Sequence, residues 1–396
     1  MNIFFLAIFA LAVFVATLLS YLQIAFVRKN RLLPAQLLDD VAWKSAADYS
    51  MIKERISIVQ SVATAVLLAL WLWFGLSFLD HSLAIENSVL NAVVFIDVFL
   101  LINYLFSLPL DIYQQFVVDS KFGFNKSSKK LYITDQIKTL FLTLIISSII
   151  VAFVAWFIAS FAAWWLIAFV FLMVVIVLVN LLFPVIRAKM FDKFTPIDES
   201  ELGQKIRLLL EQVGFKASGV FKVDAGKRDT RLNAYFAGLG STKRVVLYDT
   251  LIDKLSTEEI LAVLGHELGH FKHRDLIKNI AVIGVLLFAL LALFGALDRE
   301  FFAFFGLSNG SHNLIAMFLL FNPYLFFFAM PFFNAISRHN EFAADRFGAE
   351  LADKTALKNA LIKLVTENKS FPKKQPLYAL FHETHPNILE RIERLK

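Results

Sequence analysis

Seven apolar stretches of the sequence are each long enough to cross the hydrocarbon core of a membrane, which needs about 20 helical residues. These stretches lie near residues 3–27, 59–79, 89–109, 139–159, 161–183, 277–297 and 313–336. The composition agrees, because 58% of the 396 residues are apolar and 18% are charged, whereas a soluble domain has about half and a quarter. We therefore expect an all-α polytopic membrane protein with seven transmembrane helices.

Lys and Arg are unevenly distributed among the segments that connect these stretches. The segment after the first stretch carries Arg28, Lys29 and Arg31, and the segment after the third carries Lys129 and Lys130. Because basic loops stay in the cytoplasm, we expect the N-terminus outside and the C-terminus in the cytoplasm. The membrane would be the bacterial inner membrane or the eukaryotic endoplasmic reticulum. The net charge of +6 then reflects topology, and we expect no nucleic-acid partner.

Two longer segments of ordinary composition follow the fifth and seventh apolar stretches. In the first, residues 201–213 have helical spacing, and β-like runs follow at 220–223, 234–237 and 245–248. We therefore expect a small α+β unit on the cytoplasmic side. The predicted divisions are transmembrane helices 1–5 at 1–183, the cytoplasmic α+β unit at 184–276, transmembrane helices 6 and 7 at 277–336, and a cytoplasmic C-terminal helical segment at 337–396.

The sequence contains the H-E-x-x-H spacing of zinc peptidases, formed by His266, Glu267 and His270. A helix is predicted here because Ser256 and Glu259 form a capping pattern just before an apolar face. Positions four apart share a helix face, so both histidines can bind one ion with Glu267 alongside. The chain has no Cys, which excludes disulfides and thiolate zinc sites and leaves His, Asp and Glu as ligands.

Glu341 is the candidate for a third metal ligand. It follows the seventh apolar stretch by five residues, about 7 Å along a helix, and His270 precedes the sixth by seven residues, about 10 Å. Since both positions are expected on the cytoplasmic side, Glu341 can complete a His2Glu set with an open position for water. Asp345, one turn later, is placed to accept the second N–H of a ligating imidazole. The alternative is that Glu341 is an ordinary surface carboxylate.

Three polar residues, Asn91, Asp97 and Asn103, interrupt the third apolar stretch. Polar side chains are costly in lipid, so they are expected to face the interior of the helix bundle. We interpret them as residues that line a wet cavity.

Beyond these motifs, the sequence resembles the type I CAAX prenyl proteases, which are membrane zinc metalloendopeptidases, over roughly residues 20–395. The resemblance extends past the two metal segments to several others in the same order. These are 108–126, 195–197, Lys227-Arg228, Asn233-Ala234-Tyr235-Phe236, 243–251, and His385-Pro386 to Glu390-Arg391.

The resemblance implies seven helices in a barrel around a water-filled chamber, with the catalytic zinc near its cytoplasmic end. It implies that Asn233, Ala234 and Tyr235 belong to an edge segment that pairs with an extended peptide. It also implies that His385 and Arg391 steady the tetrahedral intermediate. The chain departs from the family at residues 229–232, where Asp-Thr-Arg-Leu replaces the usual Ser-Ser-His-Ser run.

The resulting hypothesis is peptide hydrolysis by one Zn²⁺ per chain, held by His266, His270 and Glu341, with Glu267 as the general base. The expected partners are membrane lipid and a peptide or protein substrate, prenylated if the family's specificity applies. Two alternatives stay open. One is a membrane quality-control zinc protease without prenyl specificity. The other is a non-catalytic membrane chamber stabilised by its metal, although structural zinc usually has four protein ligands.

Overall fold

The structure, a computed structural model, describes residues 1–83, 85–238 and 243–395. The helices are α1 (Asn2–Asn30), α2 (Asp40–Leu70), α3 (Leu76–Ser82), α4 (Ser88–Tyr113), α5 (Lys129–Ser160), α6 (Trp164–Met190), α7 (Glu201–Gln212), α8 (Asp249–Lys254), α9 (Thr257–Lys272), α10 (Asp275–Gly295), α11 (Arg299–Phe304), α12 (Ser311–Phe327), α13 (Met330–Leu351), α14 (Lys354–Glu367), α15 (Pro376–His382) and α16 (Ile388–Arg394). The strands are β1 (Phe194–Pro196), β2 (Val220–Val223), β3 (Ala234–Ala237) and β4 (Arg244–Tyr248).

Six helical segments are long and apolar enough to span a membrane. They are Asn2–Asn30, Asp40–Ser82, Ser88–Asp119, Lys129–Ser160, Trp164–Leu182 and Asp275–Gly295. Helices α12 and α13 together are long and apolar enough to form a seventh span. Their axes differ by 56°, so this span is bent. Pro331 lies in the first turn of α13, where a residue without a backbone N–H is tolerated in a new helix but would interrupt a continuing one. The seven predicted spans are thus confirmed, with the last one bent.

One end of the helix bundle is held together by aromatic side chains. Phe5 of α1 is fully buried, with ring centroids 5.4 Å from Phe294, 5.2 Å from Phe301 and 5.0 Å from Phe321. All three contacts are edge to face, the arrangement that aromatic quadrupoles favour. In lipid, where helices gain little from the hydrophobic effect, such close packing is what joins α1 to α10, α11 and α12.

Polar side chains within the spans avoid lipid in two different ways. A cavity of 490 Å³ between α1, α2, α4 and α12 is lined by Gln60, Thr64 and Asn103 among apolar residues, so Asn103 lies in a cavity wall, as expected. Asn91 and Asp97 are not in its wall. Asn91 Nδ2 lies 3.3 Å from His312 Nδ1, and Asp97 accepts hydrogen bonds from two serines of α5. Direct partners therefore replace water at those two positions.

A four-stranded sheet follows the fifth span, in the order β1-β2-β4-β3. Strands β2 and β4 are parallel, and the other two pairs are antiparallel. Helices α7 and α9 cover one face, where Ile206, Val245, Leu247 and Leu264 are fully buried. We call β1–β4 with α7, α8 and α9 the sheet unit. Its arrangement leaves β3 as an edge strand.

Arg228 joins the sheet unit to the membrane helices. Its guanidinium binds Asp135 of α5 through two hydrogen bonds of 2.7 and 3.1 Å, and it donates to Asp192 at 2.8 Å. The Asp192 side chain is only 3% exposed, so water solvates it little and Arg228 is a close source of compensating charge. A bidentate guanidinium–carboxylate pair also fixes the relative orientation of the two side chains, because both groups are planar. The orientation of the sheet unit against α5 thus depends on Arg228.

We predict that Arg228→Met lowers stability by about 2 kcal/mol, because Asp135 and Asp192 lose a shared cation. The loss stays below that of a fully buried pair because Arg187 still contacts Asp192 at 3.0 Å. Arg207→Met is the control, since Arg207 is 51% exposed and its surface pair is worth less than ~1 kcal/mol. Thermal unfolding in detergent measures both. Equal shifts in the two variants would contradict the role of Arg228.

Candidate active site

Helix α9 carries the two candidate histidine ligands and begins with a complete capping box. Glu259 N donates to Ser256 Oγ at 3.3 Å, and Ser256 N donates to Glu259 Oε2 at 2.7 Å. These bonds satisfy two of the free N–H groups at the helix start. His266 is buried and His270 is half-buried, and both lie on the face of α9 that contacts α13.

Small residues let α9 and α13 approach each other closely. The pairs Gly265–Gly269 and Ala344–Gly348 are each four residues apart, so each pair lies on one helix face. A Cβ at Gly269 would lie 2.8 Å from Ala344 Cα, and one at Gly348 would lie 2.6 Å from the backbone N of His266. No larger side chain fits between the two backbones without moving them. The contact therefore depends on these residues being small.

The close approach brings His266, His270 and Glu341 into one cluster. The two Nε2 atoms lie 3.2 Å apart, and Glu341 places its oxygens 3.6 Å from His266 Nε2 and 3.3 Å from His270 Nε2. One donor atom from each residue lies within 4.8 Å of the other two. Such spacing matches three ligands around an ion at about 2 Å from each. The structure thus brings together the three residues predicted to bind a metal.

The other imidazole nitrogens both face carboxylates. His266 Nδ1 lies 2.8 Å from Asp345 Oδ1, and His270 Nδ1 lies 2.9 Å from Asp275 Oδ2. For His270 the hydrogen bond with Asp275 favours a proton on Nδ1 and leaves the Nε2 lone pair directed into the cluster. His266 Nδ1 makes no hydrogen bond within the described part of the chain, although Asp345 lies beside it. The two Nε2 atoms, 3.2 Å apart, can share a proton in a hydrogen bond or face one cation together with Glu341. The donor set therefore fits a metal ion.

Asp345 occupies the position predicted for it, whereas sequence reasoning missed Asp275. Asp275 is the first residue of α10 and follows His270 by five residues. The turn between them depends on Arg274, which adopts a left-handed conformation with φ of 56°. An acidic residue just after an H-E-x-x-H helix is the available signal. That residue contacts the Nδ1 atom of the second histidine only if the turn after the helix brings the chain back towards that histidine.

The electrostatics of the cluster also favour a cation. Glu341 is 4% exposed, and its Oε2 atom is buried and accepts no hydrogen bond within the described part of the chain. Burial lowers the pKa of His270, but hydrogen bonds with Glu341 and Asp275 outweigh burial and raise the pKa to about 9. The field that would retain a proton on this imidazole attracts a metal cation equally.

Arg391 and His385 reach the cluster from the C-terminal segment. Arg391 of α16 is 7% exposed and donates to both oxygens of Asp345, at 2.8 and 2.7 Å, and its Nη1 lies 3.4 Å from Glu341 Oε2. His385 Nε2 lies 3.3 Å from Glu341 Oε1, with 59% of the side chain exposed. His385 is thus at the open side of the cluster, while Arg391 is behind it and holds Asp345.

Glu267 is half-buried on α9, and its carboxylate has no hydrogen-bond or ion-pair partner among the described residues. It is close enough to act electrostatically on both His270 and Arg391. An unpaired carboxylate beside the three clustered ligand side chains has free lone pairs for a water molecule.

The predicted edge segment lies along β3. Ala234 and Tyr235 pair with β4, and Asn233 O accepts from Tyr248 N at 3.1 Å. Just before β3, Arg231 Nη2 donates to Tyr49 Oη at 2.6 Å and to Asp119 at 2.9 Å. Arg231 therefore anchors the start of β3 to α2 and to the end of the third span.

Comparison with known proteins agrees with this architecture. The pattern of peptidase family M48 matches residues 196–396, and that of the CAAX prenyl protease N-terminal region, described as five membrane helices, matches residues 23–193. The chain belongs to peptidase family M48. The resemblance inferred from the sequence motifs is confirmed. This M48 member is a multi-pass membrane protein and a protease that acts on peptide or protein substrates.

Relatives cover almost the whole M48 chain. CAAX prenyl protease 1 of Saccharomyces cerevisiae is 33% identical over 412 residues, covering 95% of this chain and 91% of that protein. The CAAX prenyl protease 1 homolog of Homo sapiens is 30% identical over 357 residues, covering 78% of this chain and 74% of the relative. The crystal structure of S. mikatae Ste24p superimposes with a TM-score of 0.92 at 30% identity, covering 100% of this chain and 99% of the other.

We predict that Gly348→Ala lowers the metal affinity by about 10-fold or more, the effect expected when support for the ligands is lost. The new methyl group would lie 2.6 Å from the backbone of His266 and force α9 and α13 apart. Gly284→Ala is the control, because its methyl group meets only the flexible end of Met173. Metal affinity of the purified variants, measured by competition with a chelator, is compared with the wild type. Wild-type affinity in Gly348→Ala would contradict the argument.

Proposed function

We propose that this protein is a membrane zinc metalloendopeptidase with His266, His270 and Glu341 as the ligands. The observation that supports this best is the convergence of two Nε2 atoms and a buried carboxylate, with a carboxylate oxygen within 2.9 Å of the other nitrogen of each imidazole. The ligand types suit zinc, and the cluster contains three protein ligands among the described residues, the number typical of catalytic sites. A structural zinc would usually have a fourth.

In this proposal each residue around the cluster has a separate role in hydrolysis. Bound zinc would polarise the scissile carbonyl and lower the pKa of a water molecule toward about 7. Glu267 accepts the proton of the attacking water on its carboxylate and passes it to the leaving amine. Asp345 and Asp275 keep the two imidazoles in the tautomer that leaves Nε2 unprotonated. His385 would steady, from the open side, the negative charge that develops on the carbonyl oxygen, and the charge of Arg391 would act on it from behind the cluster.

The edge strand β3 is proposed to bind the substrate backbone. It lies next to α9, and an extended peptide added to it would gain backbone hydrogen bonds without requiring one particular sequence. Asn233, Ala234 and Tyr235 would supply these contacts. A prenylated substrate is proposed from the names of the relatives, which are CAAX prenyl proteases. The N-terminus is proposed to be outside and the site cytoplasmic, in contact with the lipid surface.

We predict that Glu267→Gln keeps the metal and loses activity by about 100-fold or more, because the amide cannot accept the proton. His270→Ala should lose both metal and activity. His81→Ala is the control, since its exposed ring hydrogen-bonds, among the described residues, only with the carbonyl of Ser77 in its own helix. Hydrolysis of a quenched fluorescent peptide in detergent and zinc content are measured together. Wild-type hydrolysis by Glu267→Gln would refute its role, and full zinc content in His270→Ala would refute the ligand set.

The prenyl specificity needs a separate test. Peptides with and without a farnesyl group, otherwise identical, are compared by kcat/KM with the same enzyme preparation. Preference for the farnesylated peptide supports a prenyl protease. Equal rates would support the broader membrane zinc protease and contradict prenyl specificity.

A further inference from the structure

A groove runs between α2 and the end of the third span, and we call it the α2–α4 groove. It consists of two adjoining cavities of 510 and 570 Å³, whose walls share Ile52, Arg55 and Lys121. It lies at the end of the helices to which the start of β3 is anchored, through Tyr49 and Asp119. None of the described residues in its wall belongs to the metal cluster.

The groove faces away from the interior cavity that α1, α2, α4 and α12 enclose. The residues that α2 contributes to the cavity of 510 Å³ are Ile52, Arg55, Ile56 and Val59. The polar residues that α2 contributes to the interior cavity are Ser57, Gln60, Ser61 and Thr64. Each set has the spacing of one helix face, and the second is displaced by five positions, about 140° around a helix. The groove therefore opens towards the lipid that surrounds the bundle.

The part of the groove that extends along the two spans has an apolar wall. Its side chains are Ile56, Val59, Leu110, Tyr113 and Val117. Val59 is 56% exposed and Val117 is 50% exposed, so the structure leaves much of this wall uncovered. Leu110 precedes Lys121 by 11 residues, about 16 Å along a helix. One leaflet of the hydrocarbon core is about 15 Å thick, so the apolar wall has the length to hold an acyl chain.

The other end of the groove is positively charged. Its cations are Lys44, Arg55 and Lys121, and its only carboxylate among the described residues is Asp48. Asp48 accepts two hydrogen bonds from Arg31, at 2.8 and 3.0 Å, so its charge is already compensated. The three cations are exposed, and none forms an ion pair with a carboxylate in the part of the chain that the structure describes. Three positive charges thus lie next to an apolar wall.

We propose that the α2–α4 groove binds an anionic phospholipid of the adjoining leaflet, with its phosphate between Arg55 and Lys121 and an acyl chain along the apolar wall. Basic residues beside a span attract anionic headgroups, and burial of the chain removes apolar surface from water. A zwitterionic headgroup would bring its own cation towards the same three charges. A free phosphate would leave the apolar wall uncovered. An anionic phospholipid matches both parts of the groove.

The test measures lipid binding to the full chain in neutral detergent, by native mass spectrometry. The probes are dioleoylphosphatidylglycerol and dioleoylphosphatidylcholine, which have the same acyl chains and differ in headgroup charge. We expect a Kd about tenfold or more lower for phosphatidylglycerol. Inorganic phosphate is added as a competitor and should not displace this lipid. Equal Kd values for the two lipids would overturn the inference, and so would displacement by phosphate, which would identify a site for small anions.

Variants locate the site. R55Q/K121Q should raise the Kd for phosphatidylglycerol about tenfold and leave that for phosphatidylcholine unchanged. K129Q/K130Q is the matched control, since both lysines are exposed at the start of the next span, on the same side and outside the groove wall. Its lipid preference should stay at the wild-type level. The ratio of the two Kd values within one preparation does not depend on the folded fraction. An equal loss of preference in both charge variants would show general surface attraction and disprove the site.

A third variant tests the position of the acyl chain. V117W retains every charge and fills the apolar part of the groove, so it should weaken binding of phosphatidylglycerol about tenfold or more, through lost chain contacts. Val117 is half exposed, so the larger side chain is accommodated without disturbing the core. Wild-type affinity in V117W would contradict a chain bound in the groove.

Discussion

The site depends on how closely two helices approach each other. Ordinary helix pairs pack 8–10 Å apart, at about the width of their side chains. Between α9 and α13 the contact is made by side chains no larger than a methyl group, those of Gly265, Gly269, Ala344 and Gly348. The two helices therefore approach until a Cβ at Gly348 would contact the backbone of α9. This close approach brings His266 and the Glu341 carboxylate, from different helices, to one possible ion position.

Much of the site follows from local rules that the sequence obeys. The capping pattern at Ser256 places the start of α9, and helical periodicity places His266 and His270 on one face. Glu341 and Asp345 are likewise one turn apart on α13, and both reach the cluster. The apolar stretches likewise predict the spans, because no other backbone structure of such sequences satisfies its hydrogen bonds in lipid.

What the sequence does not predict is contact between distant segments. Asp275 reaches His270 only because Arg274 adopts a left-handed turn, and nothing local requires that turn. Arg391 contacts Asp345 although two helices separate them in the chain. From the sequence alone, His385 and Arg391 look like ordinary exposed polar residues. The bend between α12 and α13 was also missed, since hydropathy reports the length of an apolar segment and not its straightness.

The charges around the cluster explain why so many polar groups are gathered in a partly buried site. Four carboxylates surround the imidazoles: Glu267, Asp275, Glu341 and Asp345. Arg391 and Lys278 supply two positive charges, at Asp345 and Asp275. With both imidazoles neutral, two negative charges remain, which a divalent cation would balance. Arg391 contributes to that balance, because without it Asp345 would be a buried anion whose protonation is favoured. A protonated Asp345 would no longer place a negative charge beside His266 Nδ1.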